Sequence, residues 1–486
     1  MFDIRKSVVR KALVVAVAGA LSACSTLPHY SQPQTAVPDH FASTPQASAG
    51  WTLAAPADAQ PRGPWWTLYG DDELNRLEAQ VDVSNQTVRK AVAQLEAARA
   101  MVDYQRSGYS PVVTAGTSAQ RFRTSQNVVH KGLAGHTVPD FSAGLAASWE
   151  PDLFGRVKDA VVNARDNAQA SEADLESVRL SVATDLAIDY FNLRSLDRQK
   201  KLLDDTVTAY AAALRIVQQQ LKDGAIDASA VAQAQTQLES TRTQDSDIDV
   251  QRAQLEHAIA TLIGKPASSF SLPPKVETVT LPQIPTGVPS QLLERRPDIA
   301  AEERRVAAAN AQIGQARAAF YPNLTLSAAV GLESSYYAPW LTASSLFWSL
   351  GSQIAGTLFD GGRRSAALKG ANAQYDGAVA DYRQTVLVAF QQVEDELSTL
   401  NTLATEADSQ QRATSAAQLS LKLTTNRYQA GAVSYLDVVT AQTIALTNER
   451  LTQQIDARRV DASVQLLKAL GGGWDRASLT DANATD

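Results

Sequence analysis

The chain has 486 residues, a net charge of −7, one cysteine, two methionines and only 6% aromatics. That length suits more than one ordinary domain, yet so few bulky side chains cannot fill wide cores; they suit helices lying close together across small residues. One cysteine excludes an internal disulfide or a thiolate cluster, and an acidic chain without Lys or Arg blocks is a poor nucleic-acid binder, so no nucleic acid is expected as a partner.

Residues 1–23 read as a targeting segment. Arg5, Lys6, Arg10 and Lys11 precede an apolar run, Ala12 to Leu21, about half as long as a membrane span needs. The run ends in Leu21-Ser22-Ala23-Cys24, which resembles the lipobox of bacterial lipoproteins and assigns covalent lipid to Cys24 and no other cofactor. Several acyl chains on one cysteine anchor firmly where a single chain is marginal. Ser25 after the cysteine resembles the sorting signal for the outer membrane. Removing four positive charges and one negative takes the mature chain from −7 to −10.

Prolines then divide the chain. Seven of the 19 fall between Pro28 and Pro64, so residues 24–70 read as a lipid-anchored tether fixed by Trp51, Trp65 and Trp66. None occurs between Pro64 and Pro111, between Pro151 and Pro266, or after Pro339, and long helices fit only there. A first unit spans 71–264. It has a helix from about 73 to 108, strands at about 112–122 and 140–150, a helix at 156–222 and another at 228–263. Residues 156–222 contain neither Pro nor Gly; as one helix they reach about 100 Å, beyond any compact soluble domain. The helices at 73–108 and 228–263 stacked end to end nearly match it, as in a cylinder wall that alternates one long helix with two short ones.

After a Pro-rich segment, 265–294, the pattern recurs over 295–470 with a helix, strands at about 323–332 and 346–358, and helices at 363–430 and 434–470; 471–486 form a tail. Gly224 and Gly431 lie 207 residues apart within matching turns, QLKDGAIDASAVAQAQ and RYQAGAVSYLDVVTAQ. The seam Val231, Ala234, Leu238, Thr241, Asp245, Ile248, Arg252, Leu255, Ile259, Leu262 keeps strict 3,4 spacing. It repeats 207 residues later from Val438 to Ala469, which is a heptad pattern and an internal duplication. Arg252 and Arg459 are read as solvated seam edges. Phe141, Ala143, Leu145, Ala147 and Trp149 alternate with small or polar residues, as a strand does between lipid and water, whereas 112–122 alternates poorly and is a strand by position. Four strands cannot close a barrel alone, so protomers must share one. Eight strands from a dimer or twelve from a trimer both satisfy periodicity.

Taken together, the repeated strand pair with its very long helix, IPTGVPSQLLERRPDIAAEERRVAAANAQIGQARAAFYPNLTL, RYQAGAVSYLDVVTAQ and the closing ALGGGW resemble the outer-membrane factors of tripartite efflux pumps. The match is to the TolC and OprM type in its lipoprotein, NodT-like branch, and it covers essentially the whole mature chain. The resemblance implies an α+β membrane protein: a homotrimer with a twelve-stranded barrel, four strands per protomer, continuous with a twelve-helix coiled-coil tunnel through the periplasm. It implies a passive gated conduit for multidrug or xenobiotic export, with outer-membrane lipid, a periplasmic adaptor and an inner-membrane RND transporter as partners. It also implies a periplasmic constriction at Leu436, Asp437 and Thr440, and tip packing at Tyr428, Gly431 and Gly224. The family's tip-locking Arg and Asp positions fall on Val433 and Ala230. The exit duct of a type I secretion system and, in another class, a periplasmic coiled-coil adaptor lipoprotein are the alternative readings. An enzyme is the weakest reading, because the five histidines are scattered and no catalytic or phosphate-binding motif occurs. Two methionines and one cysteine also argue against a dedicated copper route.

Overall fold

The computed structural model describes residues 26–38, 41–42, 64–127, 135–282, 284 and 295–473. Cys24, Trp51, all of 285–294, the tip of the loop after 122 and the tail from Trp474 lie outside the described residues. The helices are α1 (Asp72–Ser84), α2 (Gln86–Arg106), α3 (Arg156–Lys222), α4 (Ala228–Leu262), α5 (Pro297–Ala318), α6 (Arg363–Gln429) and α7 (Tyr435–Ala469). The strands are β1 (Val112–Arg123), β2 (Thr137–Trp149), β3 (Asn323–Ser334) and β4 (Leu346–Ala355), paired antiparallel in the order β1-β2-β3-β4.

The two halves match in length: α3 and α6 have 67 residues each, α4 and α7 have 35 each. Every seam residue of α4 and α7 is buried or half-buried, as knobs-into-holes packing requires. Four corrections to the sequence reading follow. The helix expected over 73–108 is two helices, because Asn85 is extended (φ −67°, ψ 126°) and its side chain accepts hydrogen bonds from the N–H groups of Thr87 and Val88 at 2.8 and 3.0 Å. Only 21-residue α2 therefore stacks on 35-residue α4, while α1 stands apart beside α3. Strand β2 starts at Thr137 and crosses Pro139, which a strand tolerates here because pairing to β3 begins only at Phe141. Strand β4 ends at Ala355, leaving Leu358 and Phe359 exposed.

The fourth correction concerns Arg252, which is not a solvated edge. Its Nε donates to Asp197 Oδ1 at 2.8 Å and its side chain is 15% exposed. Asp197, 1% exposed, also binds Arg194 at 2.9 Å and the Lys275 N–H at 3.0 Å, so a charged cluster fastens the linker to α3 and α4. Arg459, at the repeated position, lies 3.9 Å from Asp456 with 31% of its side chain exposed, as expected.

Each short-helix junction is closed by one side chain. Asn85 Nδ2 donates to the carbonyl of Leu262 at 2.7 Å, and Arg296 Nη1 donates to that of Ala469, 207 residues on, at 3.1 Å. Around the wall, α3 packs against α2 and α4 on one flank and against α5 and α7 on the other, and α6 packs against α5 and α7. The order across one chain is therefore α4/α2, α3, α7/α5, α6. No described helix is long and apolar enough to cross a membrane.

Candidate channel tip and constriction

The tip is built by two turns of the same design. After α3, the Ala225 N–H donates to the Gln220 carbonyl (2.9 Å) and the Gly224 N–H to that of Leu221 (3.0 Å). After α6, Ala432 donates to Arg427 (2.9 Å) and Gly431 to Tyr428 (2.8 Å). This six-to-one closure needs a left-handed residue, and Gly224 and Gly431 supply it at φ +69° and +71°.

The helices that leave the turns begin differently. Asp227 caps α4, accepting from the N–H groups of Ser229 (2.8 Å) and Ala230 (3.4 Å). At α7 the cap position is Ser434, whose N–H and Oγ both donate to Oδ2 of Asp437, at 2.9 and 2.7 Å. Those Ser434 hydrogen bonds, foremost the hydroxyl's, hold the Asp437 carboxyl below the usual range. Charge thus sits one turn further along α7 than along α4, and Oδ1 of Asp437 remains for other partners.

Below the turns an apolar cluster joins the two hairpins: Val217, Ala230 and Ala234 from the first with Tyr435 and Val438 from the second. Tyr428 meets Tyr435 edge-on, ring centroids 5.4 Å apart, and donates its hydroxyl to Gln220 at 2.6 Å. Ala230 lies in this cluster and Val433 is half-buried, so neither position carries the charge an ion pair would need. Leu436, Asp437 and Thr440 are all exposed while Tyr435 and Val438 are buried. The three expected constriction residues therefore share the outward face of α7. The Thr440 hydroxyl is spent on the Leu436 carbonyl at 2.8 Å.

Sequence reasoning missed the polar rungs above the cluster. Gln237 donates to Thr443 at 3.2 Å and Arg450 to Gln244 at 2.6 Å. Both pairs are separated by 206 residues, and Tyr428 and Gln220 by 208. The repeat offset was the available signal: residues about 207 apart stand at the same height on adjacent hairpins.

At the other end of the molecule the chain returns to the sheet. The Thr26 hydroxyl lies 2.8 Å from the Phe154 carbonyl and 3.2 Å from Asp159, beside the start of α3. From there the lead descends the body. Asn310 donates to Pro28 (3.0 Å), Tyr30 to Glu303 (2.5 Å), Gln32 to Tyr382 (3.1 Å), and the Ala42 N–H to Glu394 (2.7 Å). Trp65 is buried, one of the three fixing points expected of this lead, and Trp66 is half-buried. Among the described residues no group of three or more His, Cys, Asp or Glu side chains is placed to hold a metal ion.

The family model described as outer membrane efflux protein matches twice, over residues 79–265 and 288–472. The cation efflux system protein CusC of Escherichia coli is 32% identical over 472 residues, covering 96% of this chain and 99% of that one. The outer membrane protein OprJ of Pseudomonas aeruginosa is 31% identical, covering 96% and 95%. A crystal structure of a membrane protein from Pseudomonas aeruginosa superposes with a TM-score of 0.85 at 30% identity, covering 94% of this chain and all of the other. The place of the present chain is the outer membrane and its role is export, a transport rather than a catalytic task. With both matches inside the two structural repeats and the coverage nearly end to end, the chain belongs to the outer membrane efflux protein family.

Proposed function

We propose that three copies close into one conduit, a twelve-stranded barrel continuous with a twelve-helix tunnel, through which a tripartite pump discharges organic compounds. The observation that carries this is the coincidence of open edges. Strand β1 follows α2 and strand β4 precedes α6, so the free sheet edge and the free helical flank fall on the same side at both margins of the chain. An unpaired edge cannot stand in lipid, and four strands are half the number in the smallest barrels. α6 exposes Leu387, Leu419 and Leu423, and the α2/α4 flank exposes Met101, Tyr104 and Val250. One head-to-tail contact between copies therefore buries both helical flanks and pairs β4 with β1, and such a contact forms a ring when its rotation closes. Native mass spectrometry of the detergent-solubilised lipoprotein tests it. A complex of three 52.0 kDa chains, less the leader, is expected; a monomer that neither self-assembles nor enters bilayers would overturn it.

The lead supports lipid at Cys24. Thr26, two residues after it, is fixed beside the junction of β2 and α3. The partners in this reading are a periplasmic adaptor and an inner-membrane RND transporter, met at the turns of Gly224 and Gly431. CusC is named for cations, but here one methionine lies in the leader, the other, Met101, stands exposed on α2, and the cysteine is spent on lipid, so soft metal ligands do not line a route.

Leu436, Asp437 and Thr440 form the constriction. Three symmetry-related carboxylates, held ionised by Ser434, make an acidic ring at the narrow end. Replacing Asp437 by Ala is expected to raise single-channel conductance or abolish block by multivalent cations in planar bilayers; a variant unchanged in both would reject the assignment.

A further inference from the structure

A cavity of about 320 Å³ lies between α1, α3 and the turn after α7. Trp65 and Trp66 wall it, edge to face with centroids 5.8 Å apart, and the backbone of Gly471 to Gly473 closes it. Glu78 lines it, 3% exposed, with neither carboxyl oxygen hydrogen-bonded. A buried polar group without a partner is costly and rare, and it marks a place where a ligand can supply the missing donor. The remaining charged groups facing the cavity are Asp82, Glu176 and Arg179. Arg179 lies 2.5 Å from Glu176 and 3.2 Å from Asp82, so its charge is already shared and none of it reaches Glu78 as a hydrogen bond. Three carboxyl groups thus face one guanidinium, beside two indole rings that favour cations.

We propose that this cavity binds a small organic cation, an ammonium or guanidinium on an apolar body, with the charged nitrogen donating to Glu78 and the body against Trp65 and Trp66. The site is formed within one chain and needs no flow through the conduit. Without a ligand, burial, with Asp82 adding to it, pushes the Glu78 carboxyl up to about 9, so it is protonated at neutral pH. A cation takes the ionised form and therefore displaces one proton. Below that pKa the affinity rises about tenfold per pH unit.

Isothermal titration calorimetry of the full-length lipoprotein in detergent with benzylammonium tests the proposal. One site per chain is expected, with about one proton released at pH 7 when buffers of different ionisation heat are compared, and with benzyl alcohol failing to compete. Glu78→Gln, which has the shape of the protonated acid, is expected to keep the thermal midpoint and lose binding at least tenfold. The proton count on the unaltered protein stands whether or not that variant folds. Absence of saturable binding, binding without proton release, equal binding of benzyl alcohol, or full binding by a folded Glu78→Gln protein would each overturn the proposal.

Discussion

Replacing Asp197 by Ala perturbs the charged cluster that ties the linker to the wall. Asp197 accepts from Arg194, Arg252 and the Lys275 N–H. The same two arginines donate to the carbonyls of Pro273 (2.9 Å) and Leu272 (2.6 Å), while Glu256 accepts the Leu272 N–H. Removing the carboxylate strands the Arg194 guanidinium, whose side chain is 5% exposed, while Arg252 keeps Glu256 at 3.2 Å. Breaking a buried pair from one side costs about 3–5 kcal/mol, most of it the uncompensated charge. Adding Arg194→Ala to Asp197→Ala removes the stranded charge, so the double variant is expected to recover part of the loss. Arg459→Ala, on the repeated seam position, is the control and should stay within about 0.5 kcal/mol. Thermal unfolding in detergent reads the stability, and hydrogen exchange over 270–279 reads the linker's attachment. If Asp197→Ala left both the midpoint and the exchange of 272–275 as they are, the cluster would not be fastening the linker.

Three further outcomes are expected. Gly472→Ala should cost at least about 1–2 kcal/mol, because φ is +59° and a Cβ would stand 2.2 Å from Leu180 Cδ1; Gly431→Ala, with nothing within 4 Å, should cost only the backbone part, so equal midpoints for the two would contradict this. Asn85→Ala should cost about 1–2 kcal/mol through its lost cap and leave the Leu262 carbonyl unpaired, with faster amide exchange at the α2/α4 junction as its signature. Asp461 is pushed by burial from 3.8 to about 6, against a hydrogen bond from Asn192. Its ionised form is thus disfavoured on folding, its contribution is most favourable below pH 4, and stability falls as pH rises towards 6. Asp461→Asn should flatten that part of the thermal-midpoint profile, and an unchanged slope would assign the dependence elsewhere.

What the sequence disclosed and what it hid divide along a physical line. Periodicity and the spacing of Pro and Gly announced every long helix to within a residue or two, because those signals act within one turn. The break at Asn85 was hidden since asparagine is tolerable inside a helix; its reason is the Leu262 carbonyl, 177 residues away. Arg252 was misjudged for the same cause: its partners come from α3 and the linker, and no seam pattern reports them. The strand limits drifted at Pro139 and Leu358 because the length of a strand is set by its neighbour. At the tip, spacing identified the turns and the exposed trio, but the polar rungs needed the repeat offset to be used as a map of neighbours. Glu78 was silent, since a carboxylate every few residues along α1 looks like a solvated face until Trp65 and the glycine turn cover it.

Duplication explains how the tip is built. In the proposed ring of three copies, two identical hairpins per chain would present identical faces to the axis. The halves depart from identity where this matters. Position 437 corresponds, at an offset of 207, to position 230: one is an exposed Asp on a helix capped by Ser434, the other a buried Ala on a helix capped by Asp227. A carboxylate at 230 would sit in the cluster of Val217, Tyr435 and Val438 without a partner, a cost of several kcal/mol, so the charge belongs on the second hairpin alone. The first hairpin then serves as the apolar surface against which the second rests, and the second carries the groups that face outward. Both hairpins keep the same backbone turn, so their difference lies in a cap moved by three residues, which alters which side chains meet without altering the fold that holds them.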